Sequence, residues 1–216
     1  MSTKASTQKN TARNNHVLSY KEPEADDRAL AEALRKSTPG AMELFYERYA
    51  NHVQRVLARV LGVDPILPEL LHDVFIEAFT SVHSIKDGAK LKGWLTSIAV
   101  FTARGHIRKK VRNQPLWFGE SLSTTELAVR GADLEMREAL RCTYHVLDHM
   151  SADDRIAFAL RYMEGMELTE VADACRVSLA TIKRRLGRAQ KRFLLRAVEH
   201  TTLREWIEKG ARWGVR

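Results

Sequence analysis

The sequence predicts an all-α protein of two small helical domains joined by a flexible linker, the C-terminal one a helix-turn-helix. Three observations carry this. Apolar residues recur at spacings of three and four along most of the chain, the period of a helix. Gly and Pro number only 11 and 5 in 216 residues, too few for a turn-rich β fold. The periodicity is interrupted once, over 115–134, by a stretch rich in Ser, Thr, Glu and Gly that reads as the linker.

The elements follow in order. Residues 1–25 are rich in Ser, Thr, Asn and Lys, lack periodicity and read as a flexible arm. A helix from near Asp26 to Lys36 carries Leu30 and Leu34 and breaks at Ser37-Thr38-Pro39-Gly40. The next runs to Leu61 with Met42, Phe45, Tyr49, Val53, Val56 and Val60 inward, and Gly62 stops it. Pro68 suits the first turn of a third helix. Its stripe of Leu70, Leu71, Val74, Phe75, Ala78, Phe79 and Val82 buries one face and leaves His72, Asp73, Glu77 and Thr80 on the other. A polar loop over Ser84–Lys90 leads into a helix ending near Arg112, with Trp94, Leu95, Ile98, Ala99 and Thr102 inward. These elements make a domain over 26–114.

The second domain spans 135–200. A helix over Glu135–His149 shows Leu140, Tyr144 and Leu147 on one face. Ser151 then caps a helix with Asp153 and Asp154 in its first turn, which stops at Gly165. A short helix over Leu168–Ala174, a tight turn through Cys175-Arg176-Val177-Ser178, and a long helix from Leu179 to about His200 complete the motif. The tail 201–216, with Trp206 and Trp213 seven apart, reads as amphipathic. It either packs on the second domain or offers a docking surface to a partner.

Charge points to the chemistry. The chain carries a net charge of +8, and two windows contain no acid at all. Gly88–Gly119 holds Lys90, Lys92, Arg104, Arg108, Lys109, Lys110 and Arg112. Ala174–Val198 holds Arg176, Lys183, Arg184, Arg185, Arg188, Lys191, Arg192 and Arg196. Solubility favours mixed signs, so two acid-free faces argue for contact with a polyanion, nucleic acid first.

Other classes are disfavoured. No phosphate-binding G-x-x-x-x-G-K-[ST], no H-E-x-x-H and no G-x-S-x-G is present, so catalysis is not expected. Two cysteines, Cys142 and Cys175, are too few for a disulfide scaffold or a Cys-based zinc site, and read as buried side chains of a cytoplasmic protein. His145 and His149 stand four apart on one helix; without an obvious third ligand they read as ordinary helix residues, and neither metal nor cofactor is expected. No apolar run is long enough to span a membrane.

Several runs together resemble the extracytoplasmic-function sigma factors of bacterial RNA polymerase. They are Leu44-Phe45-Tyr46-Glu47-Arg48-Tyr49, then Glu69 through Phe79, then Gly93-Trp94-Leu95 with the basic end Arg108-Lys109-Lys110. The second domain adds Leu160 through Met166, Glu170-Val171-Ala172, and Thr181 through Ala189. The resemblance implies promoter-specific initiation, with core RNA polymerase, promoter duplex, the melted non-template strand and an anti-sigma factor as partners. It implies that Glu69, His72, Asp73 and Glu77 meet core polymerase. The −10 element would be held by Lys86, Lys90, Lys92, Trp94, Arg104, Arg108, Lys109, Lys110 and Arg112. The −35 element would meet Thr181, Lys183, Arg184, Arg185, Arg188 and Arg192. Lys183, Arg184 and Arg188 are expected to touch groove or phosphate, while Arg185 and Arg192 are either backbone clamps or solvated charges. Where the family usually has Gly in the helix-turn-helix turn, this chain has Arg176, which must adopt a less favourable turn conformation. A helix-turn-helix regulator that never engages polymerase is the alternative; it leaves the acid-bearing face of the third helix as mere surface.

Overall fold

The computed structural model describes residues 23–85, 87–113 and 134–208. The arm before residue 23, Lys86, nearly all of the segment read as a linker, and the end of the tail with Trp213 lie outside the described residues. Every regular element among the described residues is helical: α1 (Pro23–Arg35), α2 (Ala41–Leu61), α3 (Leu67–Ser81), α4 (Leu91–Asn113), α5 (Leu134–Asp148), α6 (Ala152–Phe158), α7 (Leu168–Cys175), α8 (Leu179–Ala197) and α9 (Thr201–Glu208).

In the first domain, α2 packs on both α3 and α4. Phe45 lies at the centre, with ring centres of Tyr49, Phe75 and Phe79 at 5.3, 5.5 and 6.0 Å. The buried Asp27 of α1 accepts hydrogen bonds from the Tyr49 hydroxyl and from Arg48, tying α1 to α2. Burial and that neighbouring carboxylate drive the Tyr49 phenol well above its ordinary range. The expected polar loop after α3 consists of two 3-10 turns, Val82–Ser84 and Gly88–Lys90, with Ile85 buried between them. Gly88 comes so close to α1 that a β-carbon there would lie 2.9 Å from the Cα of Arg28, so only glycine fits.

The second domain follows its predicted start and stop signals closely. Ser151 caps α6, its hydroxyl accepting from the Asp154 N–H at 3.2 Å. A π-turn over Ala159–Met163 extends α6 before Gly165 ends it at φ +81°. Glu167 and Glu170 form a reciprocal capping box on α7. Arg176 takes the left-handed conformation (φ +54°, ψ +46°) that the missing glycine implied. Ser178 then caps α8 through the Thr181 N–H.

Three expectations need correction. Met42 is half exposed, because it lines an open cleft with Tyr46 and Phe79 instead of packing inside. The buried stripe of α5 is Ala139, Cys142, Thr143, Val146 and Leu147, so of the expected face only Leu147 is fully inside. The long last helix ends at Ala197, and α9 turns back on α5 with Leu203 buried and Ile207 packed on the same cluster.

The domains also share a core. One cluster of buried side chains runs from Leu30 through Ile107 into Ile156, Leu160, Val171, Cys175, Ile182 and Leu186. Helix α4 is the hinge of this arrangement. It meets α2 and α3 on one side and α6 and α7 on the other. Hence every residue from Leu95 to Val100 is buried, including Thr96 and Ser97. Gly62, at φ +85°, sits where a β-carbon would press to 3.2 Å of the Tyr144 ring.

Candidate nucleic-acid interface

Polar contacts seal the junction. The Arg155 side chain is only 7% exposed. Its Nε donates to the Val60 carbonyl at 2.7 Å and its Nη2 to the Leu61 carbonyl at 3.0 Å. It also pairs with Asp148. A guanidinium thus caps the C-terminus of α2, where carbonyls lack helical partners and the helix dipole is negative. The Tyr144 hydroxyl donates to the Ala58 carbonyl at 2.9 Å. Arg55 donates to Glu164 at 2.9 Å, and Arg176 to the Ser97 hydroxyl at 3.0 Å.

Here the two basic windows meet. They read as separate surfaces in the sequence, yet both converge on Asp153 and Asp154 at the start of α6. From α4, Arg104 pairs with Asp153 at 2.9 Å and Arg108 at 3.7 Å. From α8, Arg185 pairs with the same carboxylate at 3.3 Å. Arg188 donates to Asp154 at 2.8 and 3.3 Å, and Arg192 lies 4.0 Å from it. Asp154 is 2% exposed, so these arginines and the Ser151 cap surround it in place of water.

The other expected DNA contacts are distributed differently. Lys183 and Arg184 stand exposed on α8, next to Thr181, whose hydroxyl lies 3.0 Å from that of Ser178. Lys90 and Lys92 are exposed at the start of α4 and Trp94 is half-buried. Beneath them His52 shares a 2.8 Å hydrogen bond with Thr96. Burial, then Lys92 and Arg55, push its pKa down to about 4, so the imidazole is neutral. At the far end, Lys109 and Arg112 are exposed and Lys110 lies 3.7 Å from Asp64.

The outer face of α3 presents Glu69, His72, Asp73 and Glu77 together, all exposed. Positions 69, 73 and 77 repeat every four residues, so the acids form a ladder along one side. Beside that helix lies an apolar cleft of about 350 Å³ lined by Met42, Tyr46 and Phe79, with Glu43 and Glu47 at its edge.

Sequence reasoning missed the partners of the arginines. Asp153 and Asp154 carried an adequate local explanation as first-turn acids, and Arg155 had no role assigned to it. The available signal was that Asp154 and Arg155 lead directly into a wholly apolar run, Ile156–Leu160. Both cysteines are buried as expected, and burial pushes each thiol up to about 11, which keeps them protonated and unreactive.

Comparisons with known proteins converge. Residues 45–113 match the Sigma-70 region 2 family and residues 140–193 match Sigma-70, region 4. Together these cover more than half of the chain, in that order. The ECF RNA polymerase sigma-E factor of Haemophilus influenzae is 26% identical over 174 residues, covering 76% of this chain and 92% of that protein. Its counterpart in Escherichia coli K12 is 24% identical over 174 residues, covering 76% and 91%. Two solved structures share the fold. CnrH in complex with the cytosolic domain of CnrY has a TM-score of 0.55 at 16% identity, covering 86% of this chain and 99% of that one. The sigma factor RpoE in complex with the anti-sigma factor NepR from Bartonella quintana gives 0.56 at 21% identity, covering 79% and 99%. With α2–α4 carrying region 2 and α5–α8 carrying region 4, the chain belongs to the extracytoplasmic-function sigma factors, which direct RNA polymerase to initiate at specific promoters.

Proposed function

We propose that the ladder of Glu69, Asp73 and Glu77, with His72, docks on a basic surface of core RNA polymerase. The loop through Lys86 and Lys90, with Lys92, Trp94 and the basic end of α4, holds the melted −10 strand. Stacking on an indole and cations along a backbone suit single-stranded DNA. Helix α8 enters the major groove of the −35 element, led by Lys183 and Arg184. The protein acts in the cytoplasm, and its silencing partner is an anti-sigma factor, the class found with RpoE of Bartonella quintana.

One observation carries a further step in this reading. Arg104 of region 2 and Arg188 of region 4 are held by adjacent carboxylates, Asp153 and Asp154. An arginine held by a carboxylate is not free to meet a phosphate, so on this reading part of each proposed DNA surface is engaged internally in a closed state. Initiation then requires the domains to separate. The runner-up, a regulator independent of polymerase, leaves region 2 without a task.

Mixing the chain with core polymerase tests the role split. Asp73→Lys abolishes co-elution with core while duplex binding by the full chain persists. Loss of both activities, or of neither, overturns the assignment.

A further inference from the structure

Helix α1 braces the loop that leads into α4. It precedes the residues that match region 2, yet it packs chiefly against the turn Gly88–Lys90 at the entrance to α4. One end is pinned to α2 through the buried Asp27, which accepts from Tyr49 and Arg48. Leu30, Ala31 and Leu34 are buried along its inner face.

Three contacts join α1 to the loop. First, Arg35, in the last turn of α1, donates to the Ile85 carbonyl. Ile85 is buried and extended (φ −68°, ψ +112°), so its carbonyl has left the helical ladder and takes its donor from elsewhere. Glu32 holds the same guanidinium at 3.3 Å. Second, a β-carbon on Gly88 would stand 2.9 Å from the Arg28 Cα and 3.1 Å from the Ala31 β-carbon. Third, Asp87 caps the turn by accepting from the Ala89 N–H at 3.0 Å, and the Arg28 Nε lies 3.9 Å from that carboxylate oxygen. Arg28 and Asp87 are both exposed, so their ion pair contributes little. The Arg35 bond and the glycine contact hold the geometry.

The consequence appears at the start of α4. Lys90 closes the turn, and Lys92 and Trp94 follow in the first turn of the helix. Where these three side chains stand depends on the turn that α1 grips. A loop already held in its binding shape loses less freedom when a ligand arrives. We infer that Arg35 is a positioning residue for the −10 element: through the Ile85 carbonyl it sets the loop that holds the melted strand, without touching the strand. This rests on the proposed assignment of that loop to the −10 strand.

The test uses holoenzyme and two probes cut from a promoter that the wild type selects in run-off transcription. One is the −10 non-template single strand; the other is a duplex carrying only the −35 element. Arg35→Met weakens retention of the single strand on the order of tenfold, the scale of one charged hydrogen bond, and leaves core co-elution and duplex affinity unchanged. Arg35→Lys can still donate to the carbonyl and recovers most of the loss. Gly88→Ala pushes α1 off the turn without altering charge and reproduces the loss. The salt slope for the single strand keeps its wild-type value in Arg35→Met, whereas removal of a phosphate contact would lower it by about 0.7. Unchanged strand affinity in Arg35→Met and Gly88→Ala overturns the inference. So does a lowered salt slope, which makes Arg35 a direct DNA contact, or a parallel loss of duplex affinity and thermal stability, which makes it a residue of the fold alone. A wild-type holoenzyme that does not hold the strand overturns the loop assignment itself, and the inference with it.

Discussion

Arg155→Met separates closure of the two domains from folding of each. Methionine keeps an unbranched apolar stem in the junction but removes every donor. Two of the bonds lost run across the domains, to the Val60 and Leu61 carbonyls. Hydrogen bonds from a charged donor contribute about 1.5–3 kcal/mol each. Water recovers part of this when the domains part, so the lower end applies, about 3 kcal/mol for the pair. At about 1.4 kcal/mol per factor of ten, closed-to-open shifts on the order of 100-fold. The third partner, Asp148, is 34% exposed and regains water, so α5 and α6 should keep their packing. Single-molecule energy transfer between labels on α3 and α8 reads the change directly: the short-distance population shrinks and a long-distance one grows. Duplex affinity rises as the competent fraction rises. An unchanged distance distribution would refute the closure argument. Loss of helical circular dichroism would show instead that Arg155 serves the fold of region 4.

Other consequences are more local. Lys183→Ala and Arg184→Ala should each weaken promoter-specific initiation and lower the salt slope of duplex binding by about one, with core binding unchanged; loss of core binding would break the role split. Arg176→Gly relieves a left-handed backbone strain of about 1 kcal/mol but deletes the bond to Ser97. Chemical denaturation should show a more stable region 4, and energy transfer a more open chain; a destabilised region 4 would contradict the strain argument. His52 binds its proton less readily when folded than when unfolded, where its pKa is near 6.5. The unfolded state therefore takes up more protons between about pH 6.5 and 4, and stability falls as pH falls through that window. His52→Gln should flatten this part of the urea-midpoint profile; an unchanged slope would place the titration elsewhere.

The helices were legible because each signal is local. Periodicity defined α2 and α3, Ser151 and Gly165 bounded the α6 segment, and Arg176 announced its strained turn. That Glu69, Asp73 and Glu77 share one exposed face was legible for a related reason: the pattern along a helix face is a property of that helix alone. What stayed hidden depends on pairs far apart in sequence. Arg104 and Arg188 cannot be seen to share adjacent acids until α4 is wedged between both domains. The same wedge explains why α4 is buried on two sides when its sequence suggested one. Arg35 meets the Ile85 carbonyl only because α1 lies across the turn that leads into α4. Tyr144, expected in the core of its own domain, reaches across to cap α2.

Run-off transcription with sigma-free core polymerase on a promoter library tests the central claim most directly. The wild-type chain should select discrete start sites sharing −35 and −10 elements. Asp73→Lys should abolish them, and Lys183→Ala should diminish them. Transcripts with no start-site preference, or full activity from Asp73→Lys, would contradict it.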